Sequence, residues 1–302
     1  MNINKLNENI FHQYNKWKKN YIRKENSMQM RLNNFLSNGI DRNADKYHIS
    51  EDGKHIDSDE SILITDSDLI DGKFPFPFGK VKGDFYCYCC KELISLEGAP
   101  KEVSLSFMCF ECSNLISLEG APEKVGDNFD CSDCSNLTSI KGASQIVNGR
   151  FSCRNCKNIK SLEGAPKEVG WSFNCDNCLK LTSLEGAPEK VGGNFYTYSC
   201  PKLTSLKGAP EKVGNDFSCG DCQKLTSLVG APKEVGGEFN CNDCKNIKSL
   251  EGAPEKVGKS FESYECPNLT SLEHLPKKIG GLLEVDRRFK GKIPSDISVI
   301  YH

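Results

Sequence analysis

Phe129-Asp-Cys-Ser-Asp-Cys-Ser-Asn-Leu-Thr-Ser-Ile-Lys-Gly-Ala-Ser-Gln-Ile-Val-Asn-Gly-Arg150 is one copy of a unit that recurs through most of the chain. The first residue of the unit returns every 22 residues, as Phe85, Phe107, Phe129, Phe151, Phe173, Phe195, Phe217, Phe239 and Phe261, and Leu283 takes the next place. A cysteine stands five residues after each Phe without exception, from Cys90 to Cys266. Another cysteine, the first of the two in chain order, stands two residues after Phe, except where Thr197 and Ser263 replace it. A fixed period of this length predicts a repeat solenoid.

The letters of one unit predict its local structure. Phe-x-Cys alternates apolar and polar residues with a period of two, which is typical of a short strand with one buried face. The Leu-x-x-Leu that follows continues the apolar lining, and Gly-Ala-Pro then prevents a long helix on the return path. One unit cannot cover its apolar side alone, so neighbouring units must stack. We therefore predict a mostly β fold with irregular and 3-10 turns.

The repeat resembles the leucine-rich repeat family, whose motif reads L-x-x-L-x-L-x-x-N/C-x-L. Phe and the first Cys occupy the L-x-L places, and the second Cys occupies the N/C place. The segment Leu181-Thr-Ser-Leu184 with the following Glu-Gly-Ala-Pro is similar to cysteine-containing repeats of large bacteriophages and giant viruses, and to repeats of bacterial effectors. The resemblance implies a right-handed superhelix with a parallel sheet on its concave face, whose outward residues meet a ligand.

Four segments follow from the pattern. We predict a helical N-terminal segment over residues 1–46, an N-terminal cap over 47–84, nine repeats over 85–281 and a C-terminal cap over 282–302. Terminal repeats need a polar cover, so the first segment is interpreted as part of that cap. An alternative is a basic amphipathic helix that docks on a partner or on an anionic membrane surface.

Seventeen cysteines raise the question of a metal or redox site. The polar N-terminus lacks the apolar run of a signal peptide, which predicts a cytoplasmic protein with free thiols. Equivalent residues of stacked turns lie about 4.8 Å apart in rows, whereas zinc needs four ligands that converge. We therefore predict a structural thiol ladder with no metal and no cofactor, rather than a zinc or iron–sulfur site. Cys89 falls at an outward position and is predicted to be an exposed, reactive thiol.

Composition and motifs exclude several function classes. A formal net charge of −2 argues against nucleic acid as the main partner. No apolar run is long enough to span a bilayer, so we expect no membrane span. For the oligomeric state we expect a monomer. Four of the five His residues lie outside the predicted repeats, and His274 lies in the last of them. The sequence shows no catalytic triad and no phosphate-binding loop, so we expect no enzymatic activity.

Function is predicted to reside at the least uniform positions, one, three and four residues after each Phe. The predicted partner-binding residues there are Tyr86, Tyr88, Met108, Phe110, Asp130, Asp133, Arg154, Asp176, Tyr196, Tyr198, Asp221, Asp243, Glu262 and Tyr264. The aromatic residues either pack between neighbouring turns or form a binding hot spot. The acidic ones are either a solvated face or select a partner with a basic surface.

From these residues we expect a protein–protein interaction scaffold, with the hypothesis that it is a viral or bacterial factor acting on a host protein. The alternatives are a structural component that self-associates, marked by weak capping of the terminal turns, and capture of a carbohydrate or small ligand by the tyrosines.

Overall fold

The computed structural model describes residues 28–39, 42–293, 295 and 297–302. Its main body is a parallel β-solenoid of about ten turns of 22 residues, as the period predicts. Each turn contributes one short strand to each of two β-sheets, and each sheet has 12 strands. Every residue therefore stacks on its counterpart in the next turn.

The first sheet, here called the Phe sheet, contains the strands that open each unit. They are Ile62–Leu63, Phe85–Tyr86, Phe107–Met108, Phe129–Asp130, Phe151–Ser152, Phe173–Asn174, Phe195–Tyr196, Phe217–Ser218, Phe239–Asn240, Phe261–Ser263, Leu283–Val285 and Val299–Tyr301. Each Phe pairs with the Phe of the next turn, for example Phe151 with Phe173. The nine rings are fully buried, with centroids of neighbouring rings 5.2 to 5.6 Å apart. This aromatic column forms the centre of the core.

The second sheet, here called the Val sheet, was not predicted from the sequence. Its strands are Tyr47–Ile49, Ile56–Ser58, Phe78–Val81, Glu102–Val103, Lys124–Val125, Ile146–Val147, Glu168–Val169, Lys190–Val191, Lys212–Val213, Glu234–Val235, Lys256–Val257 and Lys278–Ile279. All neighbours are parallel except the first pair. In each repeat one Val is buried, and the residue before it, which is Lys or Glu except for Ile146, is mostly exposed. Two residues are too few for an alternating pattern to be visible in the sequence.

The N-terminal end of the stack is covered by residues 28–38, which are helical and lie within the predicted helical segment 1–46, of which residues 1–27 lie outside the described residues. The Phe35 ring packs edge-on against Tyr47 and Phe76, at centroid distances of 5.8 and 5.4 Å. Arg42 donates to both carboxylate oxygens of Asp68, at 2.9 and 2.8 Å. Short 3-10 helices span Ala44–Lys46, Asp66–Asp68 and Arg287–Phe289.

The C-terminal end is less completely covered. In the last turn Leu272 and Ile279 remain partly exposed, whereas their counterparts in the preceding turn, Leu250 and Val257, are fully buried. Phe289 packs there and is itself buried, beside a cavity of about 470 Å³.

The cysteine five residues after each Phe makes the same hydrogen bond in turn after turn. Its thiol donates to the carbonyl oxygen of the residue two after Phe in the preceding turn. The pairs are Cys112 to Cys87 (2.9 Å), Cys134 to Cys109 (3.1 Å), Cys156 to Cys131 (3.1 Å), Cys178 to Cys153 (3.4 Å), Cys200 to Cys175 (3.3 Å), Cys222 to Thr197 (3.2 Å), Cys244 to Cys219 (3.3 Å) and Cys266 to Cys241 (3.4 Å).

This bond explains why only one of the two cysteines varies. The residue two after Phe contributes a backbone carbonyl, so Thr197 serves as well as Cys. Among the described residues, Cys153 is the one member of this acceptor row whose carbonyl oxygen also accepts a backbone N–H, from Cys156. A buried carbonyl without a partner destabilises the fold. In the other turns the thiol is therefore the donor that satisfies this carbonyl oxygen within the described part of the chain.

The outer side of the Val sheet carries ion pairs between neighbouring turns. Glu102 contacts both Lys80 (2.9 Å) and Lys124 (3.1 Å), and Lys190 contacts Glu168 (2.6 Å). These Lys-Glu pairs are exposed, and each contributes little to stability. Their alternation nevertheless favours the observed register over a slipped one.

We predict that removal of the donor thiol costs more than removal of the other cysteine of the same turn. Cys156→Ala leaves the Cys131 carbonyl oxygen without its donor, whereas the thiol of Cys153 donates to no carbonyl oxygen in the described part of the chain. Both side chains are fully buried. Cys156→Ala should therefore lower the free energy of unfolding by about 1 kcal/mol more than Cys153→Ala. Urea unfolding under reducing conditions measures this, and equal losses would contradict the role given to the thiol.

A second prediction concerns Ser263, which replaces the first cysteine in its turn. Its hydroxyl is buried and has no hydrogen-bond partner among the described residues. Ser263→Cys restores the residue of most other turns and removes an unsatisfied hydroxyl, so it should raise the free energy of unfolding by about 1 kcal/mol. Thr197→Cys is the control, because the Thr197 hydroxyl lies 3.6 Å from the Cys200 sulfur and so has a partner. No gain for Ser263→Cys over this control would disprove the explanation.

Candidate partner-binding face

The predicted site residues lie along the outer side of the Phe sheet, here called the Phe-sheet face. Parallel register places Tyr86 beside Met108, and Met108 beside Asp130. Tyr196 lies further along the same row, beside Asn174. The residue one after Phe therefore points away from the core in each turn, and the residues three and four after Phe form the adjoining bend.

Aromatic side chains dominate the first two turns of this face. The rings of Tyr88 and Phe110 are stacked, with centroids 4.9 Å apart and an interplanar angle of 4°. Tyr86 meets Tyr88 edge-on at 5.9 Å. Packing between turns therefore accounts for part of this group, yet 38% of Tyr88 remains exposed and Met108 is only half-buried.

A cavity of about 370 Å³ adjoins this aromatic group. Its lining consists of Met108, Asp127, Asn128, Phe129, Asp130, Arg150, Ser152 and Trp171. Trp171 is 67% exposed, and the equivalent positions in the neighbouring turns are Gly149 and Gly193, which leave its ring without flanking side chains. The sequence prediction missed Trp171, because its position lies in the corner between the sheets. The available signal was a Trp whose counterparts in the two neighbouring turns are both Gly.

Arg150 and Arg154, which belong to successive turns, have no ion pair within the described residues. Arg150 and Arg154 lie on either side of Ser152, whose buried hydroxyl is 2.6 Å from that of Ser132. The surface lysines of the Val sheet, in contrast, are often paired. Unpaired guanidinium groups beside aromatic rings are a common feature of binding surfaces.

Two predicted acidic residues have a clear local role. The Asp130 carboxylate accepts a hydrogen bond from the Ser132 amide at 2.8 Å, and Asp176 accepts one from the Tyr198 amide at 2.7 Å. Burial raises the pKa of Asp176, and the bond from Tyr198 opposes that rise. Both side chains help to shape the bend after the strand.

The residue four after Phe has a backbone reason for its identity. It adopts a left-handed conformation in every turn, with φ between 53° and 60° at Cys89, Glu111, Asp133, Asn155, Asn177, Ser199, Asp221, Asp243 and Glu265. Asp and Asn tolerate this region better than other side chains with a Cβ. The backbone conformation therefore accounts for Asp133, Asp221 and Asp243 independently of any ligand.

The far end of the face carries a network of acidic groups. Glu262 accepts hydrogen bonds from the side-chain amides of Asn240 (2.8 Å) and Asn242 (2.9 Å). Burial raises the pKa of Glu262, and repulsion from Glu284 adds to the rise. His302 lies 2.8 Å from Glu284 and stacks on the Tyr264 ring, with centroids 4.0 Å apart.

The cysteines form rows, and all seventeen are free. Burial is the main cause that raises the pKa of Cys109, Cys175 and Cys219 well above the ordinary value. In the described part of the chain, no three His, Cys, Asp or Glu side chains are grouped so as to hold a metal ion. Over the same residues, no helix has both the length and the apolar character needed to cross a bilayer.

Cys89 is exposed, as predicted, but its surroundings disfavour the reactive thiolate. Partial burial and the hydrogen bond to Glu111, with 3.4 Å between the sulfur and the carboxylate oxygen, raise the pKa of the Cys89 thiol. The thiolate is the nucleophilic form. The expectation of a reactive thiol is therefore not supported by its environment.

Three comparisons with known proteins gave no match. No family model, no curated protein and no solved structure matched the chain. The parallel β-solenoid with two sheets is thus established by the repeat and the register alone, and any family assignment is a proposal.

The Cys89 environment generates a prediction. In the folded protein at about pH 8, iodoacetamide should label Cys89 first, because the other sixteen thiols are buried. Glu111→Gln removes the neighbouring negative charge, lowers the pKa of Cys89 and should accelerate labelling about two- to threefold. Mass spectrometry of the labelled peptides measures the rate, with Glu119→Gln as a control on an exposed carboxylate away from Cys89. A rate unchanged by Glu111→Gln would show that this carboxylate does not govern the thiol.

Proposed function

We propose that the Phe-sheet face binds a partner protein. The observation that carries the proposal is a continuous surface of half-exposed aromatic and unpaired basic side chains, from Tyr88 and Phe110 through the cavity to Trp171 and Arg150. Tyr, Trp and Arg contribute most of the binding energy at protein interfaces. Exposed apolar area of this kind on a rigid sheet is typical of an interaction surface.

The charge distribution along the face supports a partner with two chemically different parts. The half that begins near Asp216 carries Glu238, Glu262 and Glu284 in addition, and of these only Glu284 has an ion pair among the described residues, with His302. A basic region of the partner would complement this half. Apolar side chains of the partner would pack on the aromatic half.

The dimensions are sufficient for a specific complex. Twelve strands at about 4.8 Å give a face roughly 50 Å long, enough for a standard interface of about 800 Å² on each partner. Rigid neighbouring turns reduce the conformational entropy that is lost on binding. We infer a binding role without catalysis, in which no cofactor takes part.

We further infer that the chain is a leucine-rich repeat protein of a cysteine-containing kind, similar to the repeats of large phages, giant viruses and bacterial effectors. The invariant Cys in the N/C place supports this inference. The free thiols support a reducing compartment such as the cytoplasm. A viral or bacterial factor directed at a host protein is the role we favour.

End-to-end assembly and ligand capture by the tyrosines are less well supported. Met28, Leu32 and Phe35 cover the N-terminal turn, so a second stack has no bare surface there to extend. Tyr88 stacks on Phe110, and the Tyr196 hydroxyl accepts a hydrogen bond from Asn194. These rings are therefore less free to enclose a small ligand.

The test is affinity capture with matched variants. Tyr88→Ala/Phe110→Asp removes the stacked pair, and Trp171→Ala removes the exposed indole. Ile94→Ala/Ile116→Asp is the control, because these two side chains are exposed in the same two turns but lie outside the Phe-sheet face. Quantitative mass spectrometry should identify a protein that binds the wild type and the control equally.

For that protein, each site variant should weaken binding about thirtyfold, as expected for loss of a hot-spot residue worth about 2 kcal/mol. Titration of the purified partner against the immobilised chain and its variants then gives the dissociation constants. If every captured protein binds the site variants as tightly as the wild type, the Phe-sheet face is not the binding surface.

A further inference from the structure

The outer side of the Val sheet has an order of charges that the proposed function does not use. Two exposed rows run along it. The first row is the residue directly before each buried Val, and the second row is the residue before that. Over five successive turns the two residues read Lys101-Glu102, Glu123-Lys124, Gln145-Ile146, Lys167-Glu168 and Glu189-Lys190. Charge order reverses from turn to turn, and the central turn is neutral.

The central turn is also apolar and open. Ile146 is 55% exposed, where most other turns have Lys or Glu. A cavity of about 490 Å³ lies beside it, lined in part by Val103, Val125 and Gly126. The same turn has Ser144 in place of the usual Pro, and the Ser144 hydroxyl donates to the carbonyl oxygen of Pro122. An exposed Ile in a ring of charges resembles the centre of an interface surrounded by a polar rim.

The charges of the second row around this centre are not neutralised by the chain itself. Side chains of Lys101, Glu123, Lys167 and Glu189 form no ion pair within the described residues. Further along the same row the charges do pair, as Glu211 with Lys233 (2.8 Å) and Glu255 with Lys277 (3.1 Å). The first row is paired within the chain on both sides of Ile146, as Glu102 with Lys124 and Glu168 with Lys190. The unpaired charges of the second row therefore cluster around Ile146.

These unpaired charges are complementary to themselves. Consider a two-fold rotation about an axis that lies directly over Gln145-Ile146, in the plane of the contact, and runs parallel to the strands. It places each turn before the centre against the turn equally far after it. Glu123 then faces Lys167 of the second copy, and Lys101 faces Glu189 of the second copy. In the first row Lys124 faces Glu168, and Glu102 faces Lys190. All four kinds of contact join opposite charges, and each occurs twice, as a two-fold interface requires.

We propose that two copies of this chain associate through the Val sheet with their solenoid axes antiparallel, and with Ile146 of one copy packed on Ile146 of the other at the two-fold axis. The surface of five turns is about 24 Å long, smaller than a standard interface, so the dimer is weak. The sequence had led us to expect a monomer; this surface favours a concentration-dependent dimer. The Phe-sheet face lies outside the contact, and the two proposals are independent.

Sedimentation velocity on the full chain, up to about 1 mM, tests the proposal by charge reversal. Glu123→Lys places a positive charge against Lys167 of the second copy, and Lys167→Glu places a negative charge against Glu123, so each variant should dimerise at least fivefold more weakly than the wild type. The double variant restores opposite charges and should dimerise as the wild type does. An equimolar mixture of the two single variants should also form dimers, because only the heterodimer then brings opposite charges together at these two positions.

Lys233→Glu is the matched control. It makes the same charge change in the same row, three turns beyond Lys167, and should leave dimerisation unchanged. Circular dichroism checks that all variants fold. A wild type that stays monomeric to about 1 mM overturns the proposal. So does a dimer that the single reversals leave intact, or one that the double variant and the mixture fail to restore.

Discussion

The hydrogen bond from the cysteine thiol five residues after each Phe to a carbonyl oxygen of the preceding turn is the contact on which the whole solenoid depends. Strands of two residues give few backbone bonds, and the chain bends away directly afterwards, so a buried carbonyl is left at the end of each strand. The thiol reaches that carbonyl from the next turn. Its position fixes the period, because an insertion or deletion between two turns would move the donor away from its acceptor. The Phe column then packs in the same register, ring on ring.

An interior of this kind confines variation to the surface. Buried positions repeat because each must match its counterpart above and below. The outward positions carry no such requirement, yet they are not all free. The residue four after Phe is held in a left-handed conformation. The Asp130 carboxylate accepts a hydrogen bond from an amide of its own bend, and the Asp176 carboxylate accepts one from the Tyr198 amide of the next turn. What remains unconstrained is smaller than the sequence suggests, and it concentrates in the aromatic group, Trp171 and the unpaired arginines.

This distinction also explains what the sequence could predict. The solenoid and its inward Phe, Cys and Leu follow from a 22-residue period, which is a long-range signal. The Val sheet did not follow, because two residues with one buried Val show no alternation. Trp171 was missed because it occupies a corner position that looks like loop in a single repeat. Whether a variable position is a binding residue depends on backbone conformation and on partners, such as the Asn240 and Asn242 amides at Glu262, which appear only when the turns are stacked.

The two proposed surfaces occupy the same rigid coil, and their geometry links them. Only three residues separate the buried Val from the next Phe, as between Val81 and Phe85, so the Val sheet and the Phe sheet meet at a tight corner. A two-fold axis along the strands preserves the strand direction, and both copies therefore turn into their Phe strands at the same edge of the contact. The dimer would thus present two antiparallel Phe-sheet faces side by side. A partner with two equivalent binding segments would then gain affinity from simultaneous engagement, even though the contact between the copies is weak.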